Sequence, residues 1–184
     1  MHLGPIEIPT DLVLAPLMDV TTPSLRQLIY DLGGVGLMVT PMLFVQQFVA
    51  APKTIVPHLE HLETQRPAAI QLVTNGKNPE AIRETLDYLS TYKFDVIDIN
   101  AGCPAPHTMR SGGGGSFLKD LHLTQKTERL ERVVKTTLKY SPVPVSLKTR
   151  LGFERKTDVL KILPFINQAG LAFLTLHGRT VKQK

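Results

Sequence analysis

The chain has one cysteine, Cys103, among 184 residues. A lone thiol cannot close an internal disulfide and excludes a cysteine-rich zinc site. No metal is expected, and a cytoplasmic setting is. No apolar run reaches the ~18 residues needed to span a bilayer, so no membrane partner is expected. Met1–Thr10 lacks the basic patch and apolar stretch of a secretory signal. Also missing is G-x-G-x-x-G after the first apolar run, where the chain reads Pro16-Leu17-Met18-Asp19-Val20-Thr21. A dinucleotide-binding sheet would carry that fingerprint.

What is present fits one globular domain over residues 1–184, with 42% hydrophobic residues and a mean hydropathy of +0.01. The net charge of +5 attracts polyanions, but many proteins without nucleic-acid partners are as basic.

Short apolar runs recur at Leu12–Pro16, Gly36–Thr40, Ala69–Val73, Val96–Asn100, Val145–Lys148 and Phe173–His177. Near-continuous Val, Ile and Leu with little alternation is the pattern of parallel strands covered on both faces. Helical stretches lie between them. Thr22 caps and Pro23 opens the first, with Leu25, Leu28, Ile29 and Leu32 on one face and Gly33–Gly34 at its end. Asn78–Pro79 opens a second, carrying Ile82, Leu86 and Leu89. A third starts at Thr124, with a stripe of Leu130, Val133, Val134 and Leu138. A fourth runs from Thr157 to Gln168, kinked or delayed by Pro164 and ended by Gly170. Phe44–Pro67 is irregular, and Lys182 and Lys184 read as a frayed tail.

Strict strand–helix alternation leaves the closed (β/α)8 barrel and the open doubly wound sheet. Polar and reactive residues cluster after the strand ends at Asp19, Gln71, Asn100, Cys103, Lys148, Arg150 and His177, which is the barrel pattern. A barrel has eight strands over ~250 residues, so the expected fold is α/β of TIM-barrel type, truncated after about six strands. The two open edges are expected to favour self-association.

The most informative segment is Ile97-Asp98-Ile99-Asn100-Ala101-Gly102-Cys103-Pro104, followed by Gly112–Gly115. A buried strand delivers an amide, a glycine and a thiol, then the longest interval in the chain. That interval is expected to be a mobile loop and a lid candidate. Its glycines suit either a plain flexible loop or a phosphate cradle.

This stretch resembles the active-site signature of the tRNA-dihydrouridine synthases. Gly4-Pro5-Ile6-Glu7-Ile8-Pro9, Leu14-Ala15-Pro16-Leu17-Met18, Ile70-Gln71-Leu72, Val145–Gly152 and Leu176-His177-Gly178-Arg179-Thr180 resemble other segments of that family, in the same order. The resemblance implies a flavin barrel that takes hydride from NADPH onto FMN and reduces uridine in tRNA. It implies Cys103 as the acid that protonates C5; free thiols titrate near ~8.5 and keep their proton at pH 7. Pro16, Leu17 and Met18 would lie along the FMN, Gln71 at its ring edge, and Lys148 and His177 beside it. Asn100 and Arg150 would face the uridine. The family usually has methionine and then a small residue after the first-strand proline, where this chain has Leu17-Met18-Asp19. Its last two strands, which grip the FMN phosphate, and its C-terminal helical tRNA-binding domain have no counterpart here, so the chain as given is expected to bind FMN poorly and therefore to reduce no tRNA. Two alternatives are a dihydroorotate dehydrogenase-like barrel acting on a free pyrimidine and a non-catalytic fragment.

Overall fold

The computed structural model of the protein describes every residue from Met1 to Lys184. The chain first turns back in a short antiparallel hairpin, β1 (His2–Leu3) against β2 (Ile6–Glu7), which no apolar run signalled. Gly4 makes that turn at φ +59°, and a Cβ there would lie 2.3 Å from the Ala172 carbonyl oxygen. The hairpin delivers Ile8 to full burial against Leu37, Val39, Ala69 and Val96, plugging the N-terminal end of the sheet.

Leu12–Pro16, expected as the first strand, is not a regular one. Only Val13 bridges, in parallel, to Leu37. This segment has a neighbour on one side alone, and Pro16 brings no N–H to lengthen the ladder. Helix α1 (Pro23–Leu32) forms as expected: Thr22 Oγ1 accepts from the Leu25 N–H at 3.3 Å, and Gly33 ends it at φ +74°.

Strand β3 (Met38–Val39) is interrupted and resumes as β4 (Leu43–Phe44). Helix α2 (Val45–Ala50) and two 3-10 turns, Pro52–Thr54 and Val56–Leu59, then fill the irregular stretch. There follow β5 (Ala68–Val73), α3 (Pro79–Leu89) and β6 (Val96–Ala101). Helices α4 (Pro106–Ser111), α5 (Ser116–Thr124) and α6 (Glu128–Tyr140) precede β7 (Val145–Arg150). Helix α7 (Leu163–Ala169) and β8 (Leu174–His177) complete the set. The main sheet is parallel throughout, ordered β3-β5-β6-β7-β8, with β4 also on β5. It curls into a half-barrel of TIM type.

The strands alternate more than expected. On β6, Ile97 and Ile99 join the large core beneath the helices, while Asp98 and Asn100 occupy the opposite, inner face. On β7, Val145 and Leu147 do the same opposite Ser146, Lys148 and Arg150. The half-barrel therefore has an apolar outside, and an inside that is polar above the apolar plug at its N-terminal end. Ile82, Leu86 and Leu89 of α3 and Leu130, Val133 and Val134 of α6 fill the outer core. Each such side chain contributes about 1.5–3 kcal/mol by leaving water.

The interval after Cys103 is helical, and this corrects the lid expectation. Gly113, Gly114 and Gly115 are buried in the turn between α4 and α5. Gly114 sits at φ +53°, and a Cβ there would meet Cys103 Cβ at 3.0 Å and Thr108 Cγ2 at 2.8 Å. Arg129 of α6 pins this turn. Its Nη1 donates to the carbonyls of Gly112 and Asn75, its Nη2 donates to Ser116 Oγ, and its guanidinium lies over the Phe117 ring. A run packed this way is neither a lid nor a phosphate cradle. Thr124 ends α5 instead of starting a helix, since Gln125 adopts φ +62° and α6 begins at Glu128. Residues Thr157–Gln168 divide into a 3-10 turn, Asp158–Lys161, and α7 with Pro164 in its first turn. The tail is not frayed: Val181 is buried, and its N–H donates to Gly152 O at 2.9 Å. No helix is long and apolar enough to cross a membrane.

Candidate active site

Strand register decides which side chains meet. Gln71 pairs with Asp98, Asp98 with Ser146, Asn100 with Lys148, and Arg150 with His177. All these positions fall on the inner face, toward the C-terminal ends of the strands.

Above them, Ala15–Met18 crosses the mouth of the half-barrel. A hydroxyl shapes the crossing: Thr21 Oγ1 donates to Leu17 O at 3.0 Å and accepts from Leu17 N–H at 3.2 Å. The result is a cavity of about 390 Å³ lined by Pro16, Leu17, Met18, Asn100, Cys103, Lys148, Arg150 and His177. Among the site residues expected from sequence, only Gln71 does not line it. Gln71 is fully buried behind Asn100.

A hydrogen-bond chain that converges on Asp98 runs beneath the cavity. Ser146 Oγ donates to Asp98 Oδ1 at 2.6 Å, and Gln71 Nε2 donates to Asp98 Oδ2 at 2.6 Å. Asn100 Nδ2 donates to Gln71 Oε1 at 2.8 Å. Asn100 Oδ1 accepts from the N–H groups of Gly102 and Cys103 at 3.1 and 2.9 Å. The loop carrying the thiol is thus tied to the floor of the half-barrel. Cys103 is half-buried, and its Sγ donates to Thr108 Oγ1 at 3.6 Å.

The electrostatics follow from burial. Desolvation raises the pKa of Asp98, opposed by hydrogen bonds from Gln71 and Ser146 and by the charge of Lys148. Desolvation also lowers that of Lys148, which Asp98 opposes and Arg150 reinforces. Arg150 is lowered by burial as well, and its Nη1 donates to Thr180 O at 2.9 Å. His177 is pushed below its ordinary value by desolvation first, and then by Arg150, Lys148 and Arg179. The cavity therefore presents a thiol, a lysine and an arginine whose charged forms burial disfavours, and a histidine biased toward neutrality. Such a set can bind an electron-rich planar ring and deliver a proton to carbon.

Asp98, Ser146, Thr108 and Met42 belong to this constellation and were not singled out from sequence. Asp98 stood inside the quoted motif without a role. Nothing local marks Ser146, Thr108 or Met42, which reach the site through register and folding alone. No cluster of three or more His, Cys, Asp or Glu side chains is placed to hold a metal ion.

Residues 13–184 match the family model described as dihydrouridine synthase (Dus). The chain is 31% identical over 181 residues to tRNA-dihydrouridine synthase B of Pseudomonas aeruginosa, covering 98% of this chain and 52% of that protein. It is 29% identical over 175 residues to tRNA-dihydrouridine(16) synthase of Haemophilus influenzae, covering 91% and 54% respectively. A probable tRNA-dihydrouridine synthase of Rickettsia prowazekii is 28% identical over 186 residues. The chain spans about half the length of the curated relatives it matches.

Proposed function

The chain belongs to the dihydrouridine synthase family, and from that premise we propose that its site serves the FMN-dependent, NADPH-driven reduction of uridine to 5,6-dihydrouridine in tRNA. The observation that carries this reading is the tethering of Cys103 by Asn100 at the mouth of a cavity that also holds Lys148, Arg150 and His177. A cavity of about 390 Å³ lies within the range of small-molecule sites. Its mix of apolar wall and cationic floor suits a flavin ring.

In this reading Pro16, Leu17, Met18, Lys148 and His177 hold the FMN, whose contribution when bound is hydride for C6 of the uracil. Gln71 serves it indirectly, from behind Asn100, whose amide it holds by accepting from Nδ2. Lys148 supplies the cation that favours added negative charge on the ring. Asn100 and Arg150 orient the uracil. The Cys103 thiol gives its proton to C5, completing the addition of hydride and proton across the C5–C6 bond. A tRNA substrate and a single cysteine both suit a cytoplasmic setting.

Two exposed apolar edges support self-association as part of the proposal. Leu12 and Val13 are 60% and 44% exposed on one side, and Leu176 of β8, which pairs only with β7, is 45% exposed on the other. Size-exclusion chromatography should show species larger than a monomer. The functional reading is tested by the absorbance spectrum after FMN addition, and by mass spectrometry of tRNA nucleosides after incubation with NADPH. Because the chain by itself is expected to hold FMN weakly, both readings are taken at saturating FMN, where a perturbed flavin band and a gain of two hydrogens on uridine are expected. Absence of both would reject the reading.

A further inference from the structure

A second cavity, of about 260 Å³, adjoins the first across a shared wall of Met18 and Met42. Asp19, Phe44, Gln47, His58 and His107 line it, and no lysine or arginine does. Phosphate recognition normally recruits those cations. A carboxylate, an amide and two imidazoles beside an aromatic ring suit the edge and face of a heterocycle instead. Phe44 and His107 stand with ring centroids 5.7 Å apart and planes inclined by 50°, a pair of faces on which a base can stack.

Two features of its lining stand out. Asp19 is held in the left-handed region at φ 59°, a conformation uncommon outside glycine. His58 Nδ1 is the one buried side-chain polar atom without a hydrogen-bond partner, a state that native interiors rarely leave uncompensated. Behind both residues stands Arg26, fully buried in α1. Its Nη1 donates to Thr21 O at 3.0 Å, its Nη2 to His58 O at 3.1 Å and Glu60 O at 2.8 Å, and its Nε to Gln65 Oε1 at 3.1 Å. Burial brings its pKa down to about 10, so it stays charged at neutral pH. A buried cation committed wholly to neutral oxygens ties the loop of Asp19 to the segment of His58.

We propose that this side cavity receives the nucleobase next to the target uridine, and that Asp19 selects guanine there. This rests on the reading of the main site as a uridine site in RNA. The Watson–Crick edge of guanine presents N1–H and the N2 amino group side by side, matching the two oxygens of a carboxylate. Adenine offers that edge only one donor. Asp19, out of place beside an anionic cofactor or phosphate, gains a role as a reader of base edges.

The test is fluorescence anisotropy of labelled single-stranded RNA pentamers with a central uridine. The neighbouring nucleotide is guanosine, inosine or adenosine, placed on either side, and the full chain is the titrant. A good bidentate contact discriminates by ~1–3 kcal/mol, so guanosine on one side should bind about five- to 150-fold more tightly than adenosine. Inosine, which lacks the amino group, should fall between. Asp19→Asn and Gln47→Ala, both exposed positions, keep the fold testable by thermal melting; Asp19→Asn should erase the guanosine preference. Equal affinity for all three neighbours, a preference that survives Asp19→Asn, or binding too weak to measure would each overturn the proposal. Exchange of the central uridine for cytidine reports separately on the main site. If that exchange weakens binding while the neighbour has no effect, only the side-cavity proposal falls. If it has no effect, the uridine reading falls.

Discussion

Asn100 Oδ1 accepts from the backbone N–H of Cys103 at 2.9 Å, so a side chain of β6 sets the position of the thiol that follows that strand. The same amide donates from Nδ2 to Gln71 Oε1 at 2.8 Å, and neither end of it is free to turn. Asn100→Ala strands two backbone N–H groups and the Gln71 oxygen. A cost of about 1–3 kcal/mol is expected for each group left buried and unpaired, visible as a lower urea midpoint. In the folded variant the Cys103 thiol should also react with a thiol reagent at a changed rate. An unchanged midpoint and an unchanged rate together would show that the amide does not position the loop.

Cys103→Ala should separate proton delivery from cofactor retention. The thiol lines the cavity beside Pro16–Met18 but contacts Thr108 through its own proton. Its loss should leave FMN binding and NADPH oxidation intact and abolish dihydrouridine formation in the loaded enzyme. Normal product in tRNA nucleoside analysis would remove Cys103 from the mechanism.

Lys148 and Arg150 share a strand face but differ in their ties. Arg150 already donates to Thr180 O, whereas Lys148 stands opposite Asn100, deeper in the half-barrel and near Asp98. Lys148→Ala should therefore weaken FMN binding more than Arg150→Ala does, and Arg150→Ala should act mainly on RNA. Flavin fluorescence titrations of both variants give the comparison, and equal losses would reject the division.

Local chemistry made the helices legible. Thr22–Pro23 and Asn78–Pro79 are caps whose bonds form within three residues, so the sequence alone announces them. Strand-end residues such as Lys148 and His177 were legible because polar groups closing an apolar run need a reason to be there. Long-range partners were not. Arg26 looks like a surface residue of an amphipathic helix, and nothing near it predicts acceptors at His58 and Glu60. The glycines after Cys103 read as a mobile loop because their packing against Thr108 and Val73 is invisible without the fold. Leu12–Pro16 misled for the opposite reason: an apolar run looks the same whether or not a neighbouring strand pairs with it.

His177 gives a pH test of the site's electrostatics. Its ordinary pKa is 6.5, and desolvation lowers it in the folded chain, with Arg150, Lys148 and Arg179 adding to the effect in that order. Between 6.5 and the lower folded value, the unfolded chain holds the proton and the folded chain does not. The histidine's contribution to stability is therefore present above pH 6.5 and lost as pH falls through the folded value. Because the ring is partly exposed, solvent screens the effect and keeps it small. The titration itself is the sharper measurement. Following the imidazole carbon-bound proton of His177 by NMR should give a pKa below 6.5. Arg150→Met should move it upward, Lys148→Met less so, and Arg179→Gln least. A value at or above 6.5 in the unsubstituted chain, or no response to losing Arg150, would mean that the cations around this ring do not act on it as their placement requires.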